Sequence, residues 1–346
     1  MRKINLVLTI GLFCITLAGA VLFGAAQNTL INGAGATFPA PIYTKWFDAY
    51  HKMFPAVQIN YQAIGSGGGT KGVTDGTVDF GASDPPLTDD QLKEYQTKHG
   101  SPLLHFPTVL GGVVPIYNLP GVTQELNFTG DALAGIFLGK ITKWNDPELT
   151  KANPGVSLPA RDIVVVHRSD GSGTTAIWAD YLAKISPEWK TKVGVNTSLN
   201  WPVGLGGKGS DGVSGLVKET PNSIGYVELT FALTNKIAYG KIRNAAGVFL
   251  KADLASVTAA AAAAKQMPED FRVSITNPDA KDAYPVASFT YLLVPSKIQD
   301  PAKKKAIKDF VTWMLGDGQS MVEMLSYSKL PKQVVDMEKK ALAKVN

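Results

Sequence analysis

Arg168 and Asp170 stand two residues apart in HRSDGSGTT (residues 167–175), where a guanidinium and a carboxylate precede a Gly-Ser-Gly-Thr-Thr turn. Three further turns of similar type occur earlier in the chain. GAGATFP (33–39) runs into an amphipathic stretch, GSGGGT (65–70) follows an apolar run, and FGASD (80–84) closes another. A helix N-terminus presents unpaired N–H groups and a partial positive charge, so several such turns converging on one cleft make an anion site. Hydroxyls and one fixed guanidinium complete it. Taken singly, each turn has a plainer reading. Gly-Ser-Gly before a helix is commonly an N-cap, Arg168 and Asp170 could be a surface pair, and Asp84 could cap the Pro85-Pro86 turn.

Enzymatic readings fare worse on spacing. The four histidines, His51, His99, His105 and His167, include no i, i+4 pair of the kind that holds a metal on a helix. Ser66 and Ser172 lack the G-x-S-x-G frame of a nucleophile elbow, since Ile64 and Asp170 occupy the upstream glycine positions. In GLGGKGSDG (204–212) the order is Gly-Lys-Gly-Ser, whereas a P-loop needs Gly-Lys followed directly by Ser or Thr. Lys208 therefore reads as a loop residue. The residues suggest no catalytic group, no metal and no cofactor.

The elements that must position these turns alternate in type. Strands are predicted at 57–64, 79–82, 163–167 and 223–227, and helices after Pro39, after Ser172, and at 129–138, 252–265 and 302–315. This is the pattern of βαβ units and mostly parallel sheets. The Ala-rich run 259–264 is explained by helix propensity alone. With 346 residues, 45% of them apolar, the chain exceeds one ordinary core, yet no Ser, Gly or Pro linker separates two halves. Two long β-like runs, 105–118 and 286–294, serve instead as crossings between lobes. The expected plan is an α/β fold of two lobes, each a mostly parallel sheet flanked by helices. Lobe 1 takes residues 27–108 with 287–346, and lobe 2 takes 109–286. Ligands favour the cleft between such lobes.

Residues 1–26 open with Arg2 and Lys3, continue through an apolar run and end in Gly24-Ala25-Ala26, the three-part pattern of a secretory signal peptide with cleavage near Gln27. The apolar run is also long enough to serve as an uncleaved anchor. Cys14, the single cysteine, follows Phe13, where lipoprotein processing wants a small residue, so it belongs to the signal's core. Removing the leader leaves no thiol and no disulfide. It also takes two positive charges from a formal +5, a weak excess that does not suggest nucleic acid.

GAGATFPAPIYTKW (33–46), QAIGSGGG (62–69), VDFGASDPPL (78–87), FPTVLGGVVPIYN (106–118), HRSDGSGTT (167–175), WPVGLGGKGSDG (201–212) and SIGYVEL (223–229) together resemble the periplasmic phosphate-binding protein of the bacterial phosphate-specific ABC transporter. The likeness runs from about Asn32 through nearly the whole mature chain. It implies a two-lobed periplasmic-binding-protein fold that closes on inorganic phosphate and delivers it to an inner-membrane permease and its ATPase, as a monomer and in the periplasm. The implied phosphate contacts are Thr37, Phe38 through its backbone amide, Ser66, Asp84, Arg168, Ser172, Gly173 and Thr174, with Asp170 holding Arg168. Two positions depart from the family pattern: His167 stands where a second basic residue often precedes the arginine, and Gly67 replaces a serine. The chemistry agrees with the resemblance. Phosphate near neutral pH still carries a proton and sulfate does not, so a buried acceptor-only carboxylate at Asp84 separates the two. The alternatives are a secreted phosphatase, or a surface or sensor protein, of the same fold.

Overall fold

The computed structural model describes residues 28–264 and 266–346. The signal-peptide reading of residues 1–26 lies outside the described residues. Among those described, no helix is long and apolar enough to cross a membrane.

Strand β1 (Thr29–Gly35) pairs in parallel with β2 (Val57–Ala63) and β3 (Phe80–Ser83). In chain order there follow β4 (Leu103–Asn118), β5 (Asn127–Phe128), β6 (Val164–Arg168), β7 (Leu205–Gly207), β8 (Ser223–Glu228), β9 (Ala238–Tyr239), β10 (Lys241–Arg243), β11 (Phe249–Leu250) and β12 (Ala287–Pro295). Among the described residues the main sheet runs β2-β1-β3-β12-β4-β8-β6-β7, with β9 on β4, and β11-β10-β5 form a small second sheet. Both ends of the main sheet are parallel, β2-β1-β3 at one and β8-β6-β7 at the other. The two runs read as crossings are β4 and β12, which pair antiparallel at its centre.

β4 explains how one strand serves both ends. Its residues from Leu103 to Gly112 pair with β12, and from Val113 onward it pairs with β8. Nearly every residue of β4 and β12 is buried, which is why both read as continuous apolar runs rather than alternating ones. The helices start where their caps dictate. Thr129, Ser172, Asp253 and Asp300 each accept a backbone N–H from the first turn of the helix that follows. At the first helix, Ala40–Met53, Pro39 sits at the cap and Pro41 within the first turn, because proline's missing N–H is harmless there.

Among the buried polar groups of this core, one carboxyl lacks a partner at both oxygens. Glu338, on the helix Lys332–Ala341, is 0% exposed and neither carboxyl oxygen has a hydrogen-bond partner. Burial raises its pKa well above the ordinary carboxyl range, so the folded chain holds it neutral. The folded state then binds a proton that the unfolded chain releases, so this residue costs stability as pH rises past the ordinary carboxyl range. Replacing it, Glu338→Leu, is expected to stabilise the protein by about 1–3 kcal/mol at neutral pH. The gain should shrink toward pH 4. Urea titrations at both pH values check this, and an unchanged midpoint at pH 7.5 would mean the carboxyl is compensated after all.

Candidate functional site

The four glycine-rich turns gather at the ends of β1, β2, β3 and β6. Ser66 is the first residue of the helix Ser66–Asp75, which lies flush on the sheet because Gly69 has no side chain: a Cβ there would strike the backbones of Gly35 and Ala82. Asp84 follows β3. Its N–H donates to Ser66 Oγ at 3.2 Å, and its Oδ1 accepts from the Thr290 hydroxyl of β12 at 2.8 Å. Oδ2 has no partner. The Pro85-Pro86 turn is held instead by Ser83 Oγ donating to Pro85 O at 2.7 Å and Leu87 N–H donating to His105 Nε2 at 3.0 Å. Asp84 does not cap it.

Arg168 ends β6 with its side chain 1% exposed. Its Nε and Nη2 donate to Asp170 Oδ1 and Oδ2 at 2.8 and 2.5 Å, and Asp170 Oδ1 also accepts the Gly209 N–H at 2.9 Å. This is a buried, bidentate pair rather than a surface one, and it fixes the plane of the guanidinium. Ser172 caps the helix Gly173–Ile185 by accepting from Thr175 N–H at 3.0 Å, which leaves its own hydroxyl hydrogen free to donate elsewhere. The amides of Gly173 and Thr174, first in that helix, have no intrahelical acceptor. The Thr174 hydroxyl is buried without a partner.

These groups face one another. A Cβ on Gly173 would overlap Asp84 Oδ2 and Ser66 Oγ together, so the start of this helix lies directly against both. Gly67, the glycine in place of a serine, donates its N–H to Gly171 O at 2.9 Å. Thr37 Oγ1 meets Ser210 Oγ at 2.8 Å, and Ser210 Oγ lies 3.5 Å from Arg168 Nη1. Phe38 adjoins Thr37, and its N–H makes no bond to another described residue. The implied phosphate contacts and Asp170 are thus brought to one place, and all of them but Asp170 are buried nearly completely. A cleft of about 600 Å³, bordered by Ile64, Lys208 and Asp211, shares Thr37 and Asp170 with it.

Two participants, and one buried acid behind them, escaped sequence reasoning. Ser210 sits in the GKGSDG run that was set aside when it failed the phosphate-loop spacing, although a hydroxyl after glycine at a helix start was itself the signal. Thr290 is a threonine in the mostly apolar strand β12. Glu228 closes β8, 0% exposed, with one oxygen unpartnered.

The two site carboxylates are set apart by their surroundings. Burial pushes Asp84 up to about 7, against the Thr290 hydrogen bond, the Arg168 charge and the Ser66 hydroxyl. Burial acts on Asp170 too, but hydrogen bonds and charge from Arg168 outweigh it and hold that carboxyl below its ordinary range. His167 stacks on Trp201 with ring centroids 4.6 Å apart, and burial lowers its pKa, so it adds no second positive charge beside Arg168. His51, His99 and His105 likewise bond to backbone groups rather than to a serine. Among the described residues no three or more His, Cys, Asp or Glu cluster as metal ligands. Among the described residues the implied contact set therefore offers many donors and one unpartnered carboxylate oxygen, Asp84 Oδ2. That set suits a tetrahedral oxyanion which still carries a hydrogen.

Residues 24–318 match the PBP superfamily domain. The chain is similar to the phosphate-binding protein PstS of Pasteurella multocida, 43% identical over 91% of this chain and 92% of that protein. With PstS of Xylella fastidiosa (strain Temecula1) the identity is 45%, covering 89% and 84% of the two chains. Among solved structures, a phosphate binding protein from Stenotrophomonas maltophilia superposes with a TM-score of 0.72 at 19% identity, covering 90% of this chain and 93% of that one. At that identity the superposition speaks for the fold alone.

Proposed function

This chain belongs to the PBP superfamily and, within it, to the PstS phosphate-binding proteins, and from that premise we propose that it binds orthophosphate and hands it to a membrane ABC permease and its ATPase. The contacts are Thr37, the Phe38 amide, Ser66, Asp84, Arg168, Ser172, Gly173 and Thr174, with Asp170 orienting Arg168. The observation that carries this reading is the unpartnered Asp84 Oδ2, buried against the first residue of the helix Gly173–Ile185. A free acceptor among so many donors selects an anion that brings its own proton. Secretion through a cleaved leader places this work in the periplasm, and the pocket is complete within one chain, which suits a monomer. Nucleic acid has no part in it. A phosphatase is not favoured, since the curated relatives are named for binding.

The lobes are residues 27–108 with 287–346, and 109–286, joined by the adjacent strands β4 and β12. Thr37, Ser66 and Asp84 then face Arg168 and Ser172 to Thr174 across the cleft. Contacts from both lobes give the ligand its differential affinity for the closed form. Calorimetry of the mature protein, unfolded and refolded to strip bound anion, is expected to show saturation at one phosphate per chain. Silence toward phosphate together with heat from an amino acid or sugar would end this reading.

A further inference from the structure

Glu228 is a second acid buried behind the anion site, and nothing in the proposed contact set uses it. It ends β8 opposite Val113, at the point where β4 leaves β12. One oxygen, Oε2, accepts the Thr230 N–H at 2.8 Å and so caps the helix Leu229–Thr234. The other, Oε1, has no partner, and among the described residues no lysine or arginine pairs with this carboxyl. Oε1 and the Phe38 ring together crowd Gly111 of β4, where a Cβ would lie 3.2 Å from the oxygen and closer still to the ring. Tyr327 adjoins Glu228 and donates its hydroxyl to the Phe38 carbonyl at 2.6 Å. The Phe38 N–H, one peptide plane away, is a proposed phosphate donor.

Two titratable groups act on Glu228, Asp84 at the end of β3 and the Tyr327 phenol, while Thr230, Gly111 and Val113 bring no charge. Burial and, more weakly, the Asp84 charge push its pKa well above the ordinary range, against the hydrogen bond from the Thr230 N–H. An ionised Glu228 would thus sit uncompensated beside Asp84 and beside the bound anion. A neutral one has an O–H to give, and the Tyr327 oxygen, whose own hydrogen is committed to Phe38, is free to accept it.

We infer that Glu228 is a proton-carrying positioning residue of the anion site, held as the neutral acid so that it orients Tyr327 and the Phe38 main chain without adding negative charge behind the ligand. The inference rests on the phosphate-binding reading of the site. Its spectroscopic test does not. Infrared spectra of the ligand-free mature protein at pH 8, compared with Glu228→Gln, are expected to differ by the carbonyl stretch of one protonated carboxyl. Calorimetry at the same pH is expected to show Glu228→Leu, which removes both the cap and the donor, binding phosphate about tenfold or more weakly. Glu228→Gln, which keeps an acceptor for Thr230 and a donor for Tyr327, should recover most of that loss. A missing infrared band overturns the inference, as does a glutamine variant no better than the leucine one. If Glu228→Leu does not fold, a glutamine variant weakened about tenfold or more serves as the overturning result. A parent protein that shows the band yet ignores phosphate refutes the phosphate reading and leaves Glu228 neutral.

Discussion

Arg168→Met is expected to abolish measurable high-affinity phosphate binding, weakening it between roughly a hundredfold and a few thousandfold. The size of the effect comes from the partner left behind. Arg168 gives two hydrogen bonds to Asp170 in a pair whose side chains are only 1% and 13% exposed. Removing the guanidinium withdraws the full positive charge of the contact set and leaves Asp170 as a bare carboxylate beside an incoming anion. Breaking one side of a buried pair costs about 3–5 kcal/mol, much of it the penalty on the orphaned charge. Two companion variants separate these contributions. Arg168→Lys keeps the charge but, as a single ammonium, cannot grip both Asp170 oxygens and aim at the ligand, so it should fall between parent and methionine. Arg168→Met with Asp170→Asn removes the repulsion and should bind better than Arg168→Met alone. Calorimetric titration of the four proteins checks the order. A methionine variant that binds like the parent would take Arg168 out of the site.

What the chain disclosed before folding was whatever is local. Glycine and hydroxyl residues at strand ends and helix starts mark backbone amides left without partners, and that pattern sits within a few consecutive residues at 33–39, 65–70, 80–84 and 167–175. The two long strands β4 and β12 were equally plain, because a strand buried on both faces is mostly apolar along its length. Thr290 could not be read this way. Its role is to donate to Asp84, 206 positions away, and only the antiparallel register of β12 between β3 and β4 brings the two together. Ser210 is the opposite case: local enough to notice, but judged by whether it completed a nucleotide loop rather than by what its hydroxyl would touch. Glu228 at the end of an apolar strand gave no hint of burial, since a glutamate before a helix is an ordinary N-cap, and here it caps too. That it is also sealed from solvent is a property of the packing around it.

Asp84→Asn is expected to change which anion the protein accepts, and pH is expected to do part of the same thing to the parent. The carboxyl is 1% exposed, and burial pushes its pKa up to about 7. Above that pH it is an acceptor-only carboxylate, and Oδ2 can be satisfied only by a ligand that brings a hydrogen. The phosphate dianion does so. Sulfate would instead set bare negative charge against it in a dry pocket, a mismatch worth several kcal/mol, on the order of a hundredfold or more in affinity. As pH falls through about 7, Asp84 gains a proton and becomes a donor, so sulfate competition against the parent should strengthen from pH 8 to pH 6. Phosphate tolerates the change, because its monoanion carries hydrogens and acceptors alike. Asparagine offers a donor and an acceptor at every pH in nearly the same volume. The variant should therefore retain phosphate in weakened form, admit sulfate already at pH 8, and lose the pH dependence of that competition. Competition titrations at pH 6, 7 and 8 on both proteins decide it. If the variant excludes sulfate at pH 8 as strictly as the parent, then selectivity resides in the donors around the anion and not in Asp84.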